Sequence, residues 1–272
     1  MRLRTMCMAV AVLLGSSGAF AETDVQNPLT DSPTWEDLRF DVIGDADLSE
    51  GNEILSVEAP SRAADAATVP VVLTQTNPDV RITAATVVVD ENPAPVAGVF
   101  TFGDGMGELS FEMRLRVNQY SNVRVITETE DGLSMTGRFV KASGGCSAPA
   151  SRDPESVIAS MGEMKLRLFG EMDAPLQSNV RREAQIMVRH PNYSGLQRDQ
   201  ITQLFIPAHF IDHLEVWQGD DMLWAMDGGI SISENPVFRF AYIDNGSEAL
   251  TVKATDTAGN SFEQVLAKGP AT

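Results

Sequence analysis

Of the two cysteines in the 272-residue chain, Cys7 and Cys146, only the second stands where it could do chemistry. Cys7 lies in residues 1–21, where Arg2 and Arg4 precede an apolar run at 6–14 and the small-residue stretch Ala19-Phe20-Ala21. That order is a secretory signal with cleavage expected before Glu22, and its apolar stretch is too short to span a bilayer. Removing it leaves one thiol in an exported, periplasmic protein, a compartment where thiols ordinarily pair. Cys146 sits in Lys141-Ala-Ser-Gly-Gly-Cys-Ser-Ala-Pro149. A structural free cysteine is normally buried within a strand or helix, whereas Gly144 and Gly145 predict a flexible, exposed arm. An exposed sulfur can attack or be attacked, but an unperturbed thiol is only a few per cent ionised near neutral pH. Lys141 and Arg152 favour the thiolate, while Asp153, Glu155 and the negative field oppose it. Activation is therefore expected from positive charge in a partner's pocket.

The remaining reactive residue types form no catalytic pattern. The chain has no glycine-rich phosphate loop, no Gly-x-Ser-x-Gly elbow and no His-Glu-x-x-His pair. His209 and His213 share a face only if 208–213 is helical, and with no further ligands close in sequence the expectation for them and for His190 is packing or hydrogen bonding. Methionines invite a Cu(I) reading, yet Met1, Met6 and Met8 leave with the signal, and Met113, Met187, Met222 and Met226 fall in strand patterns that core packing explains. Met161 and Met164 are the pair left to test. The reading is of a non-enzyme with no metal and no cofactor.

Loss of the signal takes the formal charge from −18 to −20. Such a chain excludes nucleic acid and anionic membrane surfaces as partners and favours proteins with a basic docking face. About 250 mature residues suggest two domains. Residues 22–34 read as a disordered lead-in, with a short helix at Trp35-Glu-Asp-Leu-Arg-Phe40 started by Asp31-Ser32-Pro33. Strand patterns follow at 54–59, 69–75, 80–90, 99–102, 108–118, 122–129 and 133–141. In the fifth, Leu109, Phe111, Met113, Leu115 and Val117 alternate with polar residues, the period of a sheet with one buried face. After a Gly/Ser/Pro-containing cysteine arm and linker at 143–163, with a helical turn at 154–160, strands recur at 164–171, 182–189, 214–218, 222–226, 237–243, 249–256 and 261–266. The predicted fold class is all-β, two immunoglobulin-like β-sandwich domains at 35–142 and 164–272 joined by that linker, with a short N-terminal helix.

Several stretches resemble the SoxY and SoxZ proteins of bacterial sulfur oxidation, joined in one chain. Ala59-Pro60-Ser-Arg-Ala-Ala-Asp-Ala-Ala-Thr-Val-Pro70, Asn92-Pro93-Ala-Pro95 and the closing Gly144-Gly145-Cys146 are similar to SoxY. Met187-Val-Arg-His190-Pro191, Ile206-Pro-Ala-His-Phe-Ile211 and Ser233-Glu-Asn235-Pro236 are similar to SoxZ. The resemblance implies that Cys146 is a covalent attachment point for a sulfur intermediate and that the SoxZ-like sandwich is the scaffold partner. Fused versions resembling this chain are associated with quinoprotein (PQQ) dehydrogenases, so such a dehydrogenase or its cytochrome joins the expected partners. The chain departs from SoxY by continuing through Ser147-Ala-Pro149, which closes the arm into a loop.

The leading reading is a periplasmic covalent carrier that presents a thioconjugate or persulfide on Cys146 to the enzymes that load and process it. Two others stay open: a non-covalent accessory module docking to a periplasmic dehydrogenase, and copper delivery by Cys146 with Met or His. A Cys146-linked dimer is a further expectation for an oxidising compartment.

Overall fold

The computed structural model describes residues 27–149, 154–170 and 179–269. The expected signal, the lead-in as far as residue 26, and Arg152 and Asp153 lie outside the described residues. Helix α1 (Pro33–Ile43) starts where the sequence places it: Ser32 Oγ accepts from the Trp35 amide at 3.1 Å, and Pro33 fills the first helical position, where its missing N–H is not needed. The strands of the first half are β1 (Leu48–Glu50), β2 (Leu55–Glu58), β3 (Val69–Gln75), β4 (Ala84–Val89), β5 (Val96–Phe102), β6 (Ser110–Leu115), β7 (Ser121–Thr129) and β8 (Gly132–Val140). After α2 (Pro154–Ala159) come β9 (Met164–Phe169), β10 (Val180–Val188), β11 (Ile211–Gln218), β12 (Asp221–Gly228), β13 (Val237–Asp244), β14 (Ala249–Asp256) and β15 (Ser261–Ala267). The described residues are nearly all β, with two short α-helices, and the fold is of two immunoglobulin-like sandwiches.

Two local expectations differ. β1 escapes the sequence patterns because it has three residues and pairs in parallel with the edge of β8, from Leu48↔Leu133 to Glu50↔Met135. Residues 27–32, expected to be loose, are tied to the sheet instead. Asn27 exchanges hydrogen bonds with the Phe139 backbone, and the Thr30 amide donates to Asn122 Oδ1 at 2.9 Å. Beyond Met135 no described strand pairs with the outer edge of β8, and Asn27 satisfies the Phe139 backbone there.

The sheets do not stop at the boundary between the halves. One runs β1-β8-β7-β4-β5-β12-β11-β14-β15 and the other β2-β3-β6-β13-β10-β9. In the first, β5 pairs with β12 from Gly98↔Gly228 to Phe102↔Trp224; in the second, β6 meets β13 at Phe111↔Phe240 and Glu112↔Arg239. Side chains from both halves therefore enter one core. Phe111 packs edge-on to Trp224 with centroids 5.0 Å apart and to Phe100 at 5.3 Å, while Trp224 meets Phe238 at 5.0 Å. On the outer face, α1 lays Trp35 over Val88 and Ile126. This second cover buries both faces of β7 along most of its length, including Asn122 and Arg124. No helix among the described residues is long and apolar enough to cross a membrane.

A shared core predicts that the halves unfold together. Phe111→Ala removes a buried ring that spans the seam and should cost about 3–5 kcal/mol. Denaturant unfolding followed by tryptophan fluorescence and by backbone dichroism should give one coincident transition, lowered but not split by the substitution.

Candidate functional site

Cys146 is held at the seam by a turn that draws partners from both halves. The chain leaves β8 at Val140, and Lys141 bridges to Arg62. The Gly144 amide then donates to Asn118 O at 2.8 Å and the Gly145 amide to Val117 O at 3.1 Å. Gly144 adopts φ +79°, a left-handed conformation that favours glycine. Gly145 is required for a different reason: a β-carbon there would collide with Ala66 O and come within 2.7 Å of Val117 N and O. The second half supplies the remaining ties. Ser194 Oγ donates to Cys146 O, and Gln197 Nε2 donates to Ala148 O at 2.9 Å.

This geometry corrects the flexible, exposed arm expected at Gly144 and Gly145. The glycines serve a tight turn and a close backbone approach, and Cys146 has 0 % exposure. Burial pushes its thiol up to about 11, against a smaller opposing pull from the charge of Arg116.

Arg116 is the residue that the sequence did not reveal. It follows β6 in an alternating pattern that reads as solvent-facing, yet only 1 % of it is exposed. Its Nη1 donates to Gly145 O at 3.3 Å and its Nη2 to Asn192 O at 3.2 Å, while Nε has no partner. Among the described residues no carboxylate forms an ion pair with it. Burial lowers its affinity for the proton, and the negative charge of a Cys146 thiolate is the largest influence restoring it. A buried, incompletely bonded guanidinium is costly without an anion, and the anion-forming groups whose charges act on it are Cys146 first, then Glu234 and Asp65.

The stretches singled out in the sequence converge here. Ala66 O accepts from the Val117 amide at 2.8 Å. Asn92 donates to Arg116 O at 2.7 Å and to Ser231 Oγ at 2.8 Å, and accepts from the Asn118 amide. Asn192 Nδ2 donates to Ser233 O at 3.2 Å, and the Asn235 amide donates to His190 O at 2.9 Å. His209 and His213 do not share a helical face. His213 lies in β11 between Asp227 and Glu215, and His209 instead meets His190 and Asp256. Met164 is in the core. Cys146 belongs to no cluster of His, Cys, Asp and Glu among the described residues.

Comparison with known families resolves the two halves. Residues 39–146 match the model of SoxY, a sulfur oxidation protein, and residues 172–267 that of SoxZ, likewise a sulphur oxidation protein. The chain is a SoxY domain fused to a SoxZ domain. The SoxY match ends on Cys146 itself. Among solved structures, the sulfur carrier protein SoxY from Chlorobium limicola f thiosulfatophilum is similar over 94 % of its own chain and 40 % of this one, with 22 % identity and a TM-score of 0.34. No curated protein matches the chain. Arg116 and the cysteine thus come from the SoxY domain, and Ser194 and Gln197 from the SoxZ domain.

Two measurements test this closed turn. Because burial raises the folded thiol from its unfolded value of about 8.5 to about 11, its contribution to stability is complete below pH 8.5 and is lost as pH rises through 11. Relative to Cys146→Ala, the wild-type chain should lose about 3 kcal/mol over that window in denaturant titrations. At neutral pH the native thiol should alkylate slowly, and Ser194→Ala, which removes one tie worth about 1 kcal/mol, should speed alkylation about 5-fold.

Proposed function

We propose that the chain is a non-catalytic carrier that holds a sulfur-containing intermediate covalently on Cys146 and presents it to partner enzymes of sulfur oxidation in the periplasm. The observation that carries this reading is the placement of Cys146, the last residue of the SoxY match, next to the Gly145 carbonyl held by a buried Arg116 that has no carboxylate in an ion pair with it among the described residues. A guanidinium in that position can neutralise a thiolate or the negative end of an anionic conjugate. This supports cargo ending in an anionic sulfur-oxygen group.

A sulfur with no exposure cannot be loaded where it lies, so the carrier works between two states. In the closed state the turn is held by Val117, Asn118, Arg116, Ser194 and Gln197. Opening breaks these bonds, with Gly144 as the position that absorbs the backbone rotation. The closed state protects the free thiol from oxidation and from pairing with a second chain. We take the acting partners to be periplasmic enzymes, a quinoprotein dehydrogenase or its cytochrome among them. The formal charge of −18 favours a basic docking face on them.

Intact-mass analysis of the protein taken from its native host tests the carrier role. The expected result is a mass increment mapped to Cys146, released by thiol reductant and missing from Cys146→Ser. An unmodified thiol on protein recovered during active sulfur oxidation would refute the reading.

A further inference from the structure

A second cluster lies beyond Asn192, on the side away from Arg116. His190 Nε2 lies 3.3 Å from Asp256 Oδ2 and His209 Nε2 lies 2.8 Å from the same oxygen, and the three ligand atoms are all within 4.8 Å of one another. His190 and Asp256 are buried, while the His209 side chain is 24 % exposed and gives the cluster its side toward solvent.

The His190 ring is fixed from its Nδ1 side by Asn192. Asn192 is oriented by two bonds: its Oδ1 accepts from the Ile211 amide at 3.1 Å and its Nδ2 donates to Ser233 O. His190 Nδ1 lies 2.7 Å from that Oδ1 and accepts from the Asn192 amide at 3.1 Å, so Asn192 holds the ring through both its side chain and its backbone. Held this way, the ring aims Nε2 at Asp256 Oδ2, 3.3 Å away. Asp256 is already saturated. Its Oδ1 accepts from the amides of Ala258 and Asn260, and its Oδ2 from Asn260 Nδ2 and His209 Nε2, both at 2.8 Å, which fills about four acceptor sites. His190 is the fifth neighbour and the most distant. The His190 contact is thus the longest around Asp256, and a cation among the three ligand atoms would be reached from the solvent side past His209.

We propose that His190, His209 and Asp256 form a binding site for a divalent metal ion of the zinc type, with Asn192 as the outer partner that orients the His190 ring. Two imidazole nitrogens and one carboxylate oxygen are the donor set of open zinc sites, in which solvent fills the fourth position. A polar group against the ring nitrogen that does not bind the ion, here Asn192 Oδ1 at 2.7 Å from Nδ1, is the outer-shell contact that metal-binding histidines make. Binding replaces the hydrogen bond between His209 and Asp256 and requires the two imidazoles to draw together, since ligand atoms around a tetrahedral ion lie about 3.4 Å apart. The site is independent of the carrier reading and uses no atom of Cys146.

The test uses the full chain without an affinity tag, stripped with chelator. Zn²⁺ calorimetry should give one ion per chain, and Co²⁺ should give the visible absorption of a four-coordinate centre. His209→Ala should weaken binding by more than about 10-fold, whereas His213→Ala, in the neighbouring acidic setting, should leave it unchanged. Nitrogen NMR of the wild-type histidine rings gives a reading that does not depend on a variant folding: Zn²⁺ should shift Nε2 of His190 and His209. No saturable binding by the wild-type chain, or binding that His213→Ala abolishes and His209→Ala does not, would overturn the site.

Discussion

The pairing of the two halves edge to edge is the constraint on which the rest of the molecule depends. β5 with β12 and β6 with β13 carry both sheets across the seam, so neither half presents a free edge there. The aromatic cluster of Phe100, Phe111, Trp224, Phe238 and Phe240 fills the space between the layers at that point. Without this seam, Arg116 and Ser194 would belong to different bodies and the cysteine turn would have half its ties. Fusion and shared sheets make the distance between the SoxY thiol and its SoxZ neighbours a property of one core.

Buried charge is treated differently at the seam than elsewhere. Arg124 is paired with Asp90 at 2.8 Å and stacked over Trp35, and Lys268 is paired with Asp244 at 2.8 Å. These pairs compensate their own desolvation with good geometry. Arg116 has only carbonyl partners, at 3.2 and 3.3 Å, and an unbonded Nε. A structural arginine at such cost would be expected to pair with a carboxylate, and this one instead holds the carbonyl just before Cys146 and is acted on most by the charge of that thiol. Function is the simplest physical reason for tolerating it.

How much of this was legible in the sequence depended on whether the signal was local. The helix start at Ser32-Pro33 was legible because capping is settled within one turn, and β3 and β14 because alternation is settled within one strand. β1 was illegible because three residues carry no period. Arg116 was illegible because alternation assigns a face relative to its own sheet, and its burial comes from the cysteine turn and residues of the other half. His190, His209 and Asp256 are far apart in the chain and meet only because β11 and β14 pair and the Tyr193–His209 bridge joins their loops.

By itself the sequence determined the all-β class, the order of a SoxY domain before a SoxZ domain, and Cys146 as the residue to watch, since composition, short-range periodicity and local motifs carry those facts. Only the tertiary structure decided that the cysteine is enclosed, that Gly144 turns the chain and that Gly145 is for close packing. Glycine permits both freedom and tight approach, and the choice between them was made by Ala66, Val117 and Ser194, which reach the turn from distant parts of the chain.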